Sequence, residues 1–145
     1  MAASRSAPLL PGQRSASHPQ RAVTLGVMGG GQLGRMFVHA AQALGFRTAV
    51  LDADPTSPAG RVAHVHIQTP YLDADGLALL VDEADAVTTE FENVPADALR
   101  QLATRRPVAP GGDAVAVCQD RAAEKAHFRA SGVPCAPFAV IDSEA

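Results

Sequence analysis

Short apolar runs alternate along this chain with stretches in which apolar residues recur every three or four positions. Val23–Met28 is an apolar run ending in glycines, the pattern of a buried parallel strand. Leu33, Met36, Phe37, Ala40, Ala41 and Leu44 follow at helical spacing, and Gly45 stands where a helix commonly terminates. Arg47–Leu51 reads as a second strand, closed by Asp52 and Asp54, with Pro55 and Pro58 forcing a loop. Ala63–Ile67 is a short third strand. Asp73 or Asp75 caps a helix carrying Leu77, Leu79, Leu80 and Val81. Ala86–Thr89 is a fourth strand, and Pro95 suits the first turn of a helix carrying Ala98, Leu99 and Leu102. Pro107–Ala109 is a last short strand. Strand–helix–strand order of this kind predicts an α/β fold, a Rossmann-like doubly wound parallel sheet with flanking helices and right-handed crossovers.

The flanks differ from this middle portion. Residues 1–21 are rich in Ser, Pro, Arg and Ala, contain no acid, and have too little apolar surface to offset their ordering entropy. They are expected to be a disordered extension; the same composition also fits an organellar transit peptide. Residues 113–130 read as one helical stretch ending at Ser131-Gly132, followed by an extended segment from Val133 to Ile141 with two prolines. The expected organisation is therefore an extension over 1–21, a Rossmann-like domain over 22–110, and over 111–145 a linker helix feeding the start of a further domain. A chain that stops four residues after that segment is expected to be a fragment, or a domain that works with a partner.

Composition narrows the function classes. The 145 residues are 47% hydrophobic and 19% charged, with no Trp, so the core must be built mainly from Ala, Val, Leu and Ile. No apolar run approaches the ~18 residues that would span a bilayer. Net charge is −3, which gives no reason to expect nucleic acid, although all five basic residues of 1–51 stand without an acid. Two cysteines, Cys118 and Cys135, cannot make a multi-bridge framework; they read as small buried apolar residues of a reduced, cytoplasmic protein.

Three segments carry candidate chemistry. Gly29-Gly30-Gly31-Gln32-Leu33-Gly34 satisfies G-x-G-x-x-G between a strand and a helix, where glycines permit close backbone approach and the helix N-terminus offers N–H groups to an anion. Asp52 follows Gly29 by 23 positions, where a dinucleotide fold puts its ribose-binding acid. On this pattern alone the chain is an NAD(P)- or FAD-binding module of an oxidoreductase, a non-catalytic nucleotide-binding domain, or a tight turn without ligand. Thr89-Glu90-Phe91-Glu92-Asn93-Val94 follows the fourth strand, at the sheet end where open α/β folds bind ligands; the alternative is a solvated loop with a helix cap. Gln119-Asp120-Arg121, with Glu124 and Lys125, is a charged helix whose plain reading is an exposed face laced by i,i+3 and i,i+4 pairs. His64 and His66 alternate on one strand, but no third ligand accompanies them, so no metal site is expected.

Taken together, Val27-Met28-Gly29-Gly30-Gly31-Gln32-Leu33-Gly34-Arg35-Met36, Leu51-Asp52-Ala53-Asp54-Pro55, Thr89-Glu90-Phe91-Glu92-Asn93-Val94, Gln119-Asp120-Arg121 with Glu124-Lys125 and Phe128, and Gly132-Val133-Pro134 resemble, in order and spacing, one family. It is the N-terminal region of the N5-carboxyaminoimidazole ribonucleotide synthetases, ATP-grasp ligases of purine biosynthesis, and the resemblance covers about residues 22–142. It implies a pre-ATP-grasp domain of an enzyme that uses ATP, Mg²⁺ and bicarbonate to carboxylate the exocyclic amine of 5-aminoimidazole ribonucleotide through carboxyphosphate. By the same resemblance, the turn at Gly31, Gln32 and Leu33 holds the ribonucleotide, Glu90 lies near its amine, and Arg121 sits at the edge of the ATP site. Asp52 becomes a strand-end residue instead of a ribose ligand. The family's lid, metal carboxylates and substrate-phosphate residues would follow residue 145. No catalytic or metal-binding residue is therefore expected within this chain, which alone would be inactive. A homodimer is compatible with the resemblance.

Overall fold

Side-chain alternation along the first strand builds the sheet's two faces. In the computed structural model, which describes residues 8–141, β1 (Thr24–Met28) sends Val27 to one side and Met28 to the other. Val27 joins Val38 of α1 (Gln32–Ala43), Val50 of β2 (Arg47–Leu51) and Ala59 on one face. Met28 joins Ala49, Leu51 and Ile67 on the other, beneath Leu77 and Leu80 of α2 (Ala74–Glu83) and Ala98, Leu99 and Leu102 of α3 (Ala96–Ala103). Leu80 and Leu99 are fully buried, each contributing roughly 2 kcal/mol of apolar burial. Gly26 allows α2 to sit directly on β1: a Cβ there would lie 2.9 Å from Ala84 Cβ.

The four strands are parallel and run in the order β3-β2-β1-β4, with β3 over Val65–Ile67 and β4 over Ala86–Thr89. The chain thus builds outward from β1 through β2 to β3, then returns to place β4 on the opposite side of β1. The carboxyl ends of β1 and β4 flank the resulting switch point, the place where open α/β sheets form a crevice. Asp73 caps α2, its carboxylate accepting from Gly76 N–H at 2.7 Å. Gly45 ends α1 with a φ of +88°, a left-handed value that suits a residue without a Cβ. No helix among the described residues is long and apolar enough to cross a membrane.

Several details differ from expectation. The buried face of α1 is Gly34, Val38 and Ala41, while Leu33, Met36 and Leu44 are exposed. Tight seating of the helix start on the glycine turn, where a Cβ on Gly34 would lie 2.7 Å from Gly29 O, fixes this rotation. The stretch 113–130 is two helices, α4 (Gly112–Gln119) and α5 (Arg121–Ala130). Asp120 leaves the helical region between them and caps α5 by accepting from the N–H groups of Ala122 and Ala123. Pro107–Ala109 contributes only an isolated parallel bridge, Val108 to Val87. Cys118 is exposed and Cys135 half-buried, so neither is the core residue its type suggested.

The largest difference lies before β1. Residues 1–7 fall outside the described residues, but residues 8–21 are held by specific contacts despite their composition. Arg14 bridges to Ala22, and Val23 N–H donates to Gln13 O. Leu9 packs against the cluster of Val23, Ala41 and Phe46. The Ser15 hydroxyl is buried and donates to Asp85 Oδ1 at 2.7 Å, while Asp85 Oδ2 accepts from Thr24 N–H at 2.9 Å. Arg21 pairs with Glu83 at 2.8 Å and donates to the carbonyls of Asp82 and Glu83, the open end of α2. Composition alone does not register this strap because its stability comes from polar contacts to one distant corner, Asp82–Asp85, instead of from an apolar core of its own.

Deleting residues 1–21 should therefore lower the thermal midpoint by more than about 4 °C, through loss of the Ser15 and Arg21 contacts. Scanning calorimetry of the 145-residue chain and its shortened form checks this; equal midpoints would show that the strap adds nothing.

Candidate functional site

At the carboxyl end of β1 the backbone must turn sharply and start a helix, which leaves several N–H groups with no partner in the secondary structure. The turn is Gly29-Gly30-Gly31. Gly29 has φ +107°, and Gly31 is the N-cap of α1 with extended backbone and no side chain to cap with. Two carboxylates from the neighbouring strands supply the missing acceptors. Asp52, just past β2, accepts from Gly30 N–H through Oδ2 at 2.8 Å. Glu90, just past β4, accepts from Gly31 N–H through Oε1 at 2.6 Å and from Gly34 N–H through Oε2. One carboxylate thus spans the N-cap and the third helical residue, a charge-assisted cap supplied from another strand.

Space around these contacts explains the glycines. A Cβ on Gly31 would lie 2.8 Å from Glu90 Oε1, and one on Gly34 would lie 2.7 Å from Gly29 O and 2.8 Å from Glu90 Oε2. A Cβ on Gly30 would meet Ser57 Cβ at 2.5 Å. Glu90 and the Gly29 carbonyl crowd the three glycines of G-x-G-x-x-G, Gly29, Gly31 and Gly34, while Ser57 and Asp52 crowd Gly30 between them.

A second ring of contacts holds the carboxylates. Tyr71 donates its hydroxyl to Asp52 Oδ2 at 2.9 Å and meets Phe91 edge-on at 6.4 Å. Burial, then the hydrogen bond and charge of Asp52, then the charge of Glu90, push the Tyr71 phenol well above its ordinary value. Asp52 Oδ1 accepts from Asp54 N–H. Thr56 donates its hydroxyl and N–H to Asp54, whose carboxyl is held below the usual range by those two bonds. His66 meets Asp52 O at 3.1 Å, and His64 meets Thr48, with burial and then Arg47 lowering its basicity. The two histidines serve separate backbone contacts. On the other flank, Gln119 of α4 donates to the carbonyls of Glu92 and Val94, tying the segment after β4 to the following helices.

The structure brings Gly31, Gln32, Leu33 and Glu90 together at the switch point. The Gln32 and Leu33 side chains are exposed, and their N–H groups have no partner among the described residues. Arg121 does not join them. It projects from the start of α5, is largely exposed, and pairs with Glu124 one turn on. It lines a separate groove with Lys125, Phe138 and Val140. Tyr71 and Gln119 were not anticipated as part of this region. Tyr71 sits in a loop of no recognisable pattern, and the only hint is that it is the sole tyrosine.

The family model for the ribonucleotide synthetase pre-ATP-grasp domain matches residues 22–119. N5-carboxyaminoimidazole ribonucleotide synthase of Brucella melitensis is 41% identical over 121 residues, 83% of this chain and 33% of that protein. The synthase of Pseudomonas aeruginosa matches with the same identity and coverage. Among solved structures, the Staphylococcus aureus N5-carboxyaminoimidazole synthetase complexed with ADP superposes with a TM-score of 0.78 at 36% identity, covering 83% of this chain and 33% of that one. The Aspergillus clavatus synthase in complex with ADP and 5-aminoimidazole ribonucleotide gives 0.72 at 35% identity, over 79% and 31%. The chain spans about a third of the length of the curated relatives it matches.

Replacing a helical glycine by alanine ordinarily stabilises by up to about 1 kcal/mol. Gly34→Ala should instead destabilise by about 1–3 kcal/mol, because the added methyl meets Gly29 O and Glu90; urea denaturation gives the sign. Tyr71, being the only tyrosine, should show no phenolate absorbance near pH 10, its ordinary range. Its folded value is raised, so its contribution to stability is complete below pH ~10 and is lost as pH rises through the folded value. Ultraviolet titration of the folded and urea-unfolded chain separates the two; coincident curves would remove the Asp52 contact.

Proposed function

The chain belongs to the ribonucleotide synthetase pre-ATP-grasp domain family, and from that premise we propose that it is the ribonucleotide-holding part of an N5-carboxyaminoimidazole ribonucleotide synthase. The reaction is the ATP-dependent carboxylation of the exocyclic amine of 5-aminoimidazole ribonucleotide with bicarbonate. ATP phosphorylates bicarbonate to carboxyphosphate; the amine nitrogen then bonds to its carbon as phosphate leaves and a proton is lost. The observation that carries this reading is the pairing of a ligand-accessible turn at Gln32–Leu33 with the carboxylate of Glu90 across the switch point. A solved relative bound to 5-aminoimidazole ribonucleotide supports it.

In this reading the Gln32 and Leu33 N–H groups donate to the ribonucleotide, and Gly31 sets their direction. Glu90, held by two backbone donors, keeps a fixed negative charge beside the amine, where a positioned carboxylate orients the nucleophile and favours its loss of a proton. Arg121 belongs to the ATP side. Its groove pairs two cations, Arg121 and Lys125, with the apolar side chains of Phe138 and Val140, a surface suited to a nucleotide polyphosphate and its base. No cluster of three His, Cys, Asp or Glu among the described residues could hold a metal. These residues therefore do not fit the Mg²⁺ that travels with ATP, and its ligands would come from elsewhere in the enzyme. The division into an extension, a Rossmann-like domain over 22–110 and a connecting segment over 111–145 is part of the same proposal, as are a cytoplasmic setting and a homodimer. An NAD(P) or FAD role is disfavoured because it needs the Asp52 carboxylate and the glycine amides free, and each is bonded within the chain.

Titrating 5-aminoimidazole ribonucleotide into the isotope-labelled chain should shift the Gln32 and Leu33 amide resonances, whereas NAD⁺ should not; the reverse pattern would overturn the reading. In a full-length relative, the change matching Glu90→Gln should lower carboxylation on the order of 10²-fold with a smaller effect on the KM for ATP. The change matching Arg121→Ala should act mainly on ATP. Steady-state kinetics with each substrate varied in turn checks both.

A further inference from the structure

A glycine turn opening a helix normally leaves its first N–H groups free, and in dinucleotide folds they receive a pyrophosphate. Here that position is filled by the chain itself. The two donors that converge at the start of α1, Gly31 N–H and Gly34 N–H, are bridged by the two oxygens of Glu90. The third, Gly30 N–H, is taken by Asp52, which Tyr71 also holds. The Glu90 side chain fills the space against the turn: a carboxylate oxygen lies 2.8 Å from where a Cβ on each of Gly29, Gly31 and Gly34 would stand. α1 has twelve residues, so its N-terminal partial charge is fully developed and is neutralised by a group the protein carries.

We propose that Glu90 is an internal anion that occupies the pyrophosphate position of the turn and is the residue that sets its ligand specificity. It excludes dinucleotides and other polyphosphates from Gly31 and Gly34 by occupancy and by charge. What remains for a ligand is the adjacent pair of donors, Gln32 N–H and Leu33 N–H, beside a fixed carboxylate. Such an edge accepts a group that offers hydrogen-bond acceptors to the two amides and a donor, such as an amine or hydroxyl, to Glu90. The match of that edge to an aminoimidazole ribonucleotide rests on the function proposed above; the occupancy of the anion position does not.

The proposal separates from a merely structural role for Glu90 because removing the side chain should create binding. Inorganic pyrophosphate titrated into the wild-type chain at millimolar concentration should leave the Gly31 and Gly34 amide resonances unmoved, whatever it does at the separate Arg121–Lys125 groove. Into Glu90→Ala it should bind at least about tenfold more tightly than to wild type, with the Gly31 and Gly34 amide resonances moving together. If Glu90→Ala does not fold unaided, pyrophosphate or formate present during refolding should restore native circular dichroism, as replacements for the missing carboxylate. Pyrophosphate binding at the Gly31 and Gly34 amides of the wild-type chain as tight as at those of a folded Glu90→Ala would overturn the proposal. So would an unfolded Glu90→Ala chain that no anion rescues. Ribonucleotide binding by the wild-type chain tests the functional reading separately: its failure with pyrophosphate binding gained by Glu90→Ala would leave the internal anion standing and remove only the proposed substrate.

Discussion

Everything at the carboxyl edge of this sheet depends on how three glycine amides find acceptors. A turn as tight as Gly29–Gly31 cannot satisfy its own donors, and water has little access to them. The solution reaches outward on both sides, to Asp52 beyond β2 and to Glu90 beyond β4. The turn, the start of α1 and the ends of three adjacent strands are thereby joined in one charged network, extended by Tyr71 to the loop after β3. Charge-assisted bonds inside a partly desolvated crevice are stronger than their surface counterparts, and a missing partner there leaves a buried donor unsatisfied. The glycine pattern and the two acids are consequently one feature, although they lie far apart in sequence.

Much of the fold could be read from apolar periodicity. The central strands and the helices between them follow from runs such as Val23–Met28 and Ala49–Leu51, because burial on both sheet faces demands continuous apolar runs. Periodicity was less able to give rotation. Leu33, Met36 and Leu44 carry the helical spacing of α1, yet the helix buries Gly34, Val38 and Ala41. The face is decided by backbone approach at Gly34, a contact that hydrophobicity does not measure. For the same reason the single stretch 113–130 concealed a break: Asp120 is unremarkable in composition and decisive as a cap.

The site was legible in its parts and less so in its wiring. Gly31, Gln32, Leu33 and Glu90 stand out as residue types at a strand end, and resemblance to a family brings them together. That Glu90 bonds the turn itself depends on strand order, which puts β4 beside β1 on the side opposite β2. Asp52 illustrates the limit most clearly. At its spacing from Gly29 it could be a ribose ligand or a structural acid, and only its bonds to Gly30 and Tyr71 distinguish the two. Tyr71 itself has no sequence signal, since a phenol in a loop acquires its role solely from what the fold sets opposite its hydroxyl.

The strap over residues 8–21 has a consequence for how the chain reaches its native state. Ser15 meets Asp85 across 70 positions and Arg21 meets Glu83 across 62, so the strap is synthesised well before its partners. Contacts of such long sequence separation form slowly, because the intervening chain must first be ordered. The corner at Asp82–Asp85 exists as a docking surface only once the end of α2 is in place. A strap that docks last on such a corner acts as a latch: interactions absent from the folding transition state slow opening without guiding assembly.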